Sequence, residues 1–223
     1  MTISYKVIMK GFKLFFLVGI LFFIWSCSKP TEENVFYEAQ KYFNKIETYR
    51  CIVDVTVKGN KDTESYKAKH VFKKPNKYII EILEPLENKG NITLYDGKQA
   101  WLYNKQVDES FIIKDLEQSL DKSLFVGYFL RSVMTNENIV MYFEEIEDKK
   151  YLVLEVDIPG NNKHRSIERL WIDSSNYHPY KLVIYKENGE IFTEVDYSEF
   201  KANIKINDED FNIKTGLDYI RKL

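Results

Sequence analysis

Hydrophobic and polar positions along the chain change period several times, and each change marks an element. Behind Thr31-Glu32-Glu33-Asn34, which offers capping residues and first-turn acids, Val35, Ala39, Tyr42, Phe43 and Ile46 recur at helical spacing. A helix is expected from about Glu32 to Lys45. The period then drops to two. Cys51, Val53, Val55 and Val57 share one face of the segment Tyr49 to Lys58, while Arg50, Asp54, Thr56 and Lys58 occupy most of the other. That is the pattern of a half-buried strand. After the turn residues Gly59 to Asp62, Tyr66, Ala68, His70 and Phe72 alternate along a second strand, and Lys77 to Leu83 follows as a third behind Pro75-Asn76.

Asp96-Gly97, between Asn91–Tyr95 and Gln99–Tyr103, is a hairpin signal. A further strand is expected over Val107 to Ile113. Leu120, Leu124 and Tyr128 then return to helical spacing, which predicts a second helix from about Leu116 to Met134. The remainder alternates again over Ile139–Glu145, Tyr151–Ile158, Arg165–Ile172, Tyr180–Lys186 and Ile191–Phe200. The turns between them fall at Asp148-Lys149, Gly160-Asn161-Asn162, Ser174-Ser175-Asn176 and Asn188-Gly189. Short strands at regular spacing with few helices predict a meandering antiparallel sheet that curls or closes. No linker rich in Pro, Gly or Ser divides the chain, so one folded domain is expected.

The N-terminus follows a different rule. Lys6, Lys10 and Lys13 precede an uncharged apolar run from Leu14 to Trp25, and no acid occurs before Cys27. Such a run is shorter than the roughly 20 residues of a membrane-spanning helix. A basic stretch followed by a short apolar one is the layout of an export signal. Ile24-Trp25-Ser26-Cys27 resembles a bacterial lipobox, with a branched aliphatic three before the Cys and a small residue directly before it. The resemblance implies a diacylglycerol thioether on Cys27 and cleavage after Ser26. Two acyl chains, at roughly 0.8 kcal/mol per buried CH₂, anchor a protein stably to a membrane. The expected boundaries are a signal peptide over 1–26, a tethered linker over 27–34, the folded domain over 35–215 and a tail over 216–223.

Composition narrows the classes. The 223 residues carry 32 Lys and Arg against 34 Asp and Glu, a formal charge of −2. Loss of three lysines with the signal moves that to −5, which speaks against a nucleic-acid binder. Aromatic residues make up 15% of the chain, so a packed core is expected rather than disorder. With Cys27 lipidated, Cys51 is left as the one thiol, and its apolar alternation reads as a buried small hydrophobe. His70, His164 and His178 lie far apart in sequence without the clustered spacing of a metal site. No Gly-x-Ser-x-Gly nucleophile turn or Gly-rich phosphate loop occurs. Glu144-Glu145 and the acids Asp208-Glu209-Asp210 read as solvated edges and turns. No catalytic residue, metal or cofactor is expected.

Two stretches carry a family resemblance. Lys74-Pro75-Asn76-Lys77-Tyr78 leads into Tyr95-Asp96-Gly97-Lys98-Gln99-Ala100-Trp101-Leu102-Tyr103, and Leu170-Trp171-Ile172-Asp173 precedes His178-Pro179-Tyr180-Lys181-Leu182 and Phe200-Lys201-Ala202-Asn203. In order and spacing these resemble the LolA and LolB lipoprotein-carrier family. The resemblance implies a mainly β fold with two or three helices: a strongly curved, incomplete antiparallel barrel closed by helices around an apolar cavity. Asp96-Gly97 is then a turn, and Trp101 and Trp171 are core. A soluble shuttle has no use for the anchor that Cys27 provides. Within the family the chain is most similar to the anchored germination lipoproteins of clostridial spore formers. That likeness implies a non-catalytic partner that enables a zinc-dependent N-acetylmuramoyl-L-alanine amidase (CwlD-like) to act on spore-cortex peptidoglycan, at the outer face of a cell or spore membrane. The alternatives are lipid or lipoprotein handling, with an acyl chain as ligand, and envelope-stress sensing. Trp101, Tyr103 and Phe129 inside the cavity would exclude an acyl chain.

Overall fold

The computed structural model describes residues 30–59, 62–113, 129, 133, 138–158 and 163–212. Helix α1 (Glu32–Asn44) carries Glu32 and Glu33 in its first turn and Lys41 in its last, each complementing the partial charge at its end. It buries Val35 and Ala39, four residues apart on one stripe, with Phe36, Tyr42 and Phe43 at the flanks. The expected second helix, 116–134, lies outside the described residues apart from Phe129 and Val133, both helical and both buried in the same core.

Among the described residues eleven strands follow: β1 (Thr48–Lys58), β2 (Thr63–Lys73), β3 (Lys77–Glu84), β4 (Ile92–Tyr95), β5 (Ala100–Asn104), β6 (Glu109–Ile113), β7 (Ile139–Ile146), β8 (Lys149–Asp157), β9 (Ile167–Asp173), β10 (Pro179–Tyr185) and β11 (Ile191–Ala202). They form a single antiparallel sheet in the order β6-β5-β4-β3-β2-β1-β11-β10-β9-β8-β7. Two sequential meanders are thus joined at one seam, where β1 pairs with β11. The sheet is not closed. β6 and β7 are its two edges, so the expected curling or closing sheet is an open one, and closure by helices rests on segments outside the described residues.

The helix side of the sheet is one continuous core. It combines Cys51, Val53 and Val55 of β1, Leu152, Leu154 and Val156 of β8, Leu170 and Ile172 of β9, and Leu182 and Ile184 of β10. Each such aliphatic side chain contributes on the order of 1.5–3 kcal/mol when removed from water. Near the end of β11 the alternation changes phase. The register jumps between Arg50/Ile52 on β1, and Glu199 takes a left-handed φ of 50°. This β-bulge lets Tyr197 and Phe200, three residues apart, both face the core.

The far side has two apolar islands. The first joins Val71, Ile79, Ile92, Leu94 and Tyr103 and is covered by the segment after β11, which supplies Ile206 and Phe211. That strap is fixed along its length. Asn203 Oδ1 accepts the Glu47 N–H at 2.9 Å, Thr48 Oγ1 donates to the Ile204 carbonyl at 2.7 Å, and Asp208 Oδ1 pairs with Lys77 at 2.8 Å and Lys73 at 3.0 Å. The strap explains why Val71 and Ile79 are buried between inward-facing neighbours, against a strict in–out pattern. The second island, around Tyr151, Val153, Trp171 and Val183, is packed with Tyr142, Tyr180 and Tyr185. Between the islands runs a polar band of cross-strand ion pairs: Lys69–Glu81 at 3.1 Å, Lys67–Asp54 at 3.5 Å and Lys181–Glu194 at 2.7 Å.

Candidate binding surfaces

The lipid-attachment candidate Cys27 lies outside the described residues. Cys51 is a free, buried cysteine whose thiol burial pushes far above its usual range, so it is held as the unreactive thiol. The three histidines are not brought together. His70 is buried on β2 opposite Cys51, and burial lowers its imidazole to about 3. His178 packs between Tyr42 of α1, 6.0 Å between ring centres, and Phe200 of β11, 5.1 Å away. Burial lowers its pKa against the raising effect of Asp173. His164 borders an open depression of ≈ 440 Å³ with Lys163, Lys186, Glu187, Asn188 and Glu190. Among the described residues no group of three His, Cys, Asp or Glu side chains is placed to hold a metal ion.

The motif residues build turns and joints. Asp96 Oδ1 accepts the N–H groups of Lys98 and Gln99 at 2.8 and 2.7 Å, and Gly97 stands at φ 96° beside Asn76. A Cβ on Gly97 would come within 2.9 Å of Asn76 Oδ1, so glycine is required there. Asp173 Oδ1 accepts the Ser175 N–H and hydroxyl. Burial works against its carboxylate, but hydrogen bonds from Ser175 and Asn176 and the nearby Lys149 outweigh it and lower the pKa. The acids expected as merely solvated do more than that. Glu144 accepts the Trp171 indole N–H at 2.9 Å, and Asp208 ties down the strap.

Of the three side chains named as cavity fillers, Phe129 belongs to the helix-side core, whereas Trp101 and Tyr103 pack on the far side under the strap. The reason is register: Leu94 opposes Trp101, and Leu94 faces away from α1. Among the described residues the helix side of β3 to β6 buries Tyr78, Tyr95 and Ala100 at one end and is more exposed toward the other. Ile80, Ile82 and Thr93 are half-buried there, while Leu102 and Phe111 are exposed, Phe111 by 48%. Leu86, Val107 and Ile112 add further exposed apolar surface near the same edge. Alternation alone would have flagged this row, since Leu102 and Phe111 are paired across β5 and β6.

The described residues thus form an open antiparallel sheet with one apolar face packed on a helix and with β6 and β7 as its edges. The chain belongs to the sporulation protein YdcC-like family, whose model matches residues 7–211. A curated relative, an uncharacterized protein of Methanocaldococcus jannaschii, is 22% identical over 201 residues, 89% of this chain and 55% of its own length, so the chain spans about half of the curated relative it matches. An uncharacterized conserved protein from Thermus thermophilus shows the same fold, with a TM-score of 0.52 at 14% identity over 80% of this chain and 91% of that one. The chain is also similar to a LolA superfamily protein from Nitrosomonas europaea (TM-score 0.42, 18% identity, 83% and 99% covered). It is similar as well to the structure of the CwlD amidase from Clostridioides difficile in complex with the GerS lipoprotein (TM-score 0.47, 27% identity, 78% and 98% covered). These last two similarities are of the same kinds as the resemblances read from the sequence, to LolA-like carriers and to anchored germination lipoproteins.

Proposed function

We propose that this chain is a non-catalytic lipoprotein, tethered through diacylglycerol on Cys27 to the outer face of a bacterial membrane. In this reading it binds a cell-wall N-acetylmuramoyl-L-alanine amidase and enables it to act on spore-cortex peptidoglycan during germination. The observation that carries this reading is membership, over residues 7–211, in a family described as sporulation proteins. Two features support it. The lipobox-like Ile24-Trp25-Ser26-Cys27 suits a fixed partner rather than a shuttle. His70, His178 and the buried Cys51 are spent on packing, which suits a binding scaffold. The amidase of the GerS complex supplies the class of partner to try first.

A second reading is favoured by one observation: the apolar, part-exposed row Ile80, Ile82, Leu102 and Phe111 could take an acyl chain. Both readings are tested on the same material. The full chain is co-purified with candidate amidases from a spore former, and the complex is then extracted with organic solvent for mass spectrometry. Retained amidase without stoichiometric lipid is expected; bound lipid with no amidase sinks the adaptor reading. Cys27→Ala should release the chain from membranes, and continued membrane association would overturn the anchor.

A further inference from the structure

We propose that the outer edge of β7 is a strand-addition site for an extended segment of a protein partner, with a basic stretch of that segment lying against Glu144–Asp148 and an apolar run against Ile139–Phe143. The proposal deepens the partner reading above and depends on it only for which protein supplies the segment.

Among the described residues β7 pairs with β8 alone, in unbroken register from Ile139↔Val156 to Ile146↔Lys149. A strand paired on one side turns half of its N–H and C=O groups outward, where they template another strand. Folded proteins blunt such edges with charged side chains (lysine above all), proline, bulges, short length or a covering element. β7 is eight residues long, contains no Lys, Pro or Gly, shows no register shift in its pairing, and carries its only charges, Glu144 and Glu145, toward one end, leaving Ile139–Phe143 uncharged. The opposite edge, β6, has five residues. The side chains of β7 point the same way. Val140 is 54% exposed, and Ile139, Met141, Tyr142 and Phe143 are half-buried, so an added strand would cover apolar surface on both faces.

Charge sets the direction. The end of β7 and its turn hold Glu144, Glu145, Glu147 and Asp148, and Asp173 lies beside them opposite Tyr151. Against these five acids stand Lys149 and Lys150, and Lys150 lies over the Phe143 ring at 3.4 Å, opposite Glu145. This end is left with an acidic excess that a base on the incoming segment would offset. An antiparallel partner strand therefore reads bases first and apolar residues after.

The test uses the full chain in detergent micelles and the synthetic peptide Lys-Arg-Lys-Val-Thr-Val-Thr-Val-Thr. Binding is expected, with amide shifts concentrated on β7. Backbone N-methylation of two valines should weaken it about thirtyfold, since each lost hydrogen bond is worth about 1 kcal/mol. Replacing the three bases by Glu should weaken it about fivefold or more. Val140→Lys and the exposed Glu145→Lys should each weaken binding, while Phe111→Lys on β6 leaves it unchanged. No binding at millimolar peptide, indifference to N-methylation, or loss with Phe111→Lys in place of the β7 variants would overturn the proposal. An amidase that binds wild type and both β7 variants alike would remove the edge and keep the partner reading. Peptide binding as described with no amidase bound would do the reverse.

Discussion

His70 makes the fold sensitive to mild acid. It sits on the helix side of β2 between Cys51 of β1 and Ile80 of β3, 2% exposed, and burial lowers its imidazole to about 3. The ring enters the core neutral. In the unfolded chain it titrates near 6.5. Below that pH the unfolded state takes up a proton that the folded state refuses, so stability falls as pH drops from about 6.5 toward 3 and is complete above 6.5. Each pH unit in that window is worth about 1.4 kcal/mol, which makes about 2 kcal/mol at pH 5. His178, also lowered by burial, adds to the upper part of the same window. Urea unfolding at pH 7.5 and pH 5.0 of wild type and His70→Gln reads the effect as a difference of differences. It is indifferent to whatever the substitution does at neutral pH. Wild type should lose about 2 kcal/mol more than the variant between the two conditions. Equal losses would show that His70 is protonated within the fold, and the burial reasoning would fail.

Two further outcomes follow from the far side of the sheet and the bulge. Phe211→Ala removes the deepest contact of the strap, a side chain 1% exposed, and should cost about 3 kcal/mol with faster amide exchange at Val71, Ile79 and Leu94; unchanged exchange there would mean that the strap does not cover the island. Glu199→Gly should raise stability by about 0.5–1 kcal/mol in thermal unfolding, because glycine takes the left-handed φ of 50° without a Cβ penalty. A fall in Tm would show that the Glu199 side chain supplies more than its backbone strain removes.

Much of the sheet is legible because its signal is local. Alternation locates the strands within a few residues, from Tyr49–Lys58 against an observed Thr48–Lys58 to Ile191–Phe200 against Ile191–Ala202. It places the turn between β7 and β8 one residue late. Glu147 and Asp148 both take positive φ, 48° and 62°, at positions where Asn-Gly would have announced the turn. What period two does not encode is which of two faces meets the helix. Trp101 and Tyr103 share a face by spacing, but only the strap, just over a hundred residues later, makes that far face a core of its own. The bulge is visible as Tyr197 and Phe200 falling out of step, yet alternation offers no partner strand to explain it. The candidate site divides in the same way. The anchor proposed at Cys27 rests on a short motif of the sequence alone, whereas an edge such as that of β7 is defined only once the strand order is known.

The seam between β1 and β11 has a kinetic consequence. Glu47 and Asn203, which join across it, stand 156 positions apart, whereas neighbours within each meander are close along the chain. The two wings can zip up locally and early, but the pairing that unites them waits for the last strand to be made, and long-range pairing of this kind slows folding. A chain cut short before Ile191 would lose the middle of its sheet rather than a border, leaving β1 and β10 each bare on one side. Completion is thus set by β11: until it arrives there are two sticky half-sheets, and afterwards one sheet.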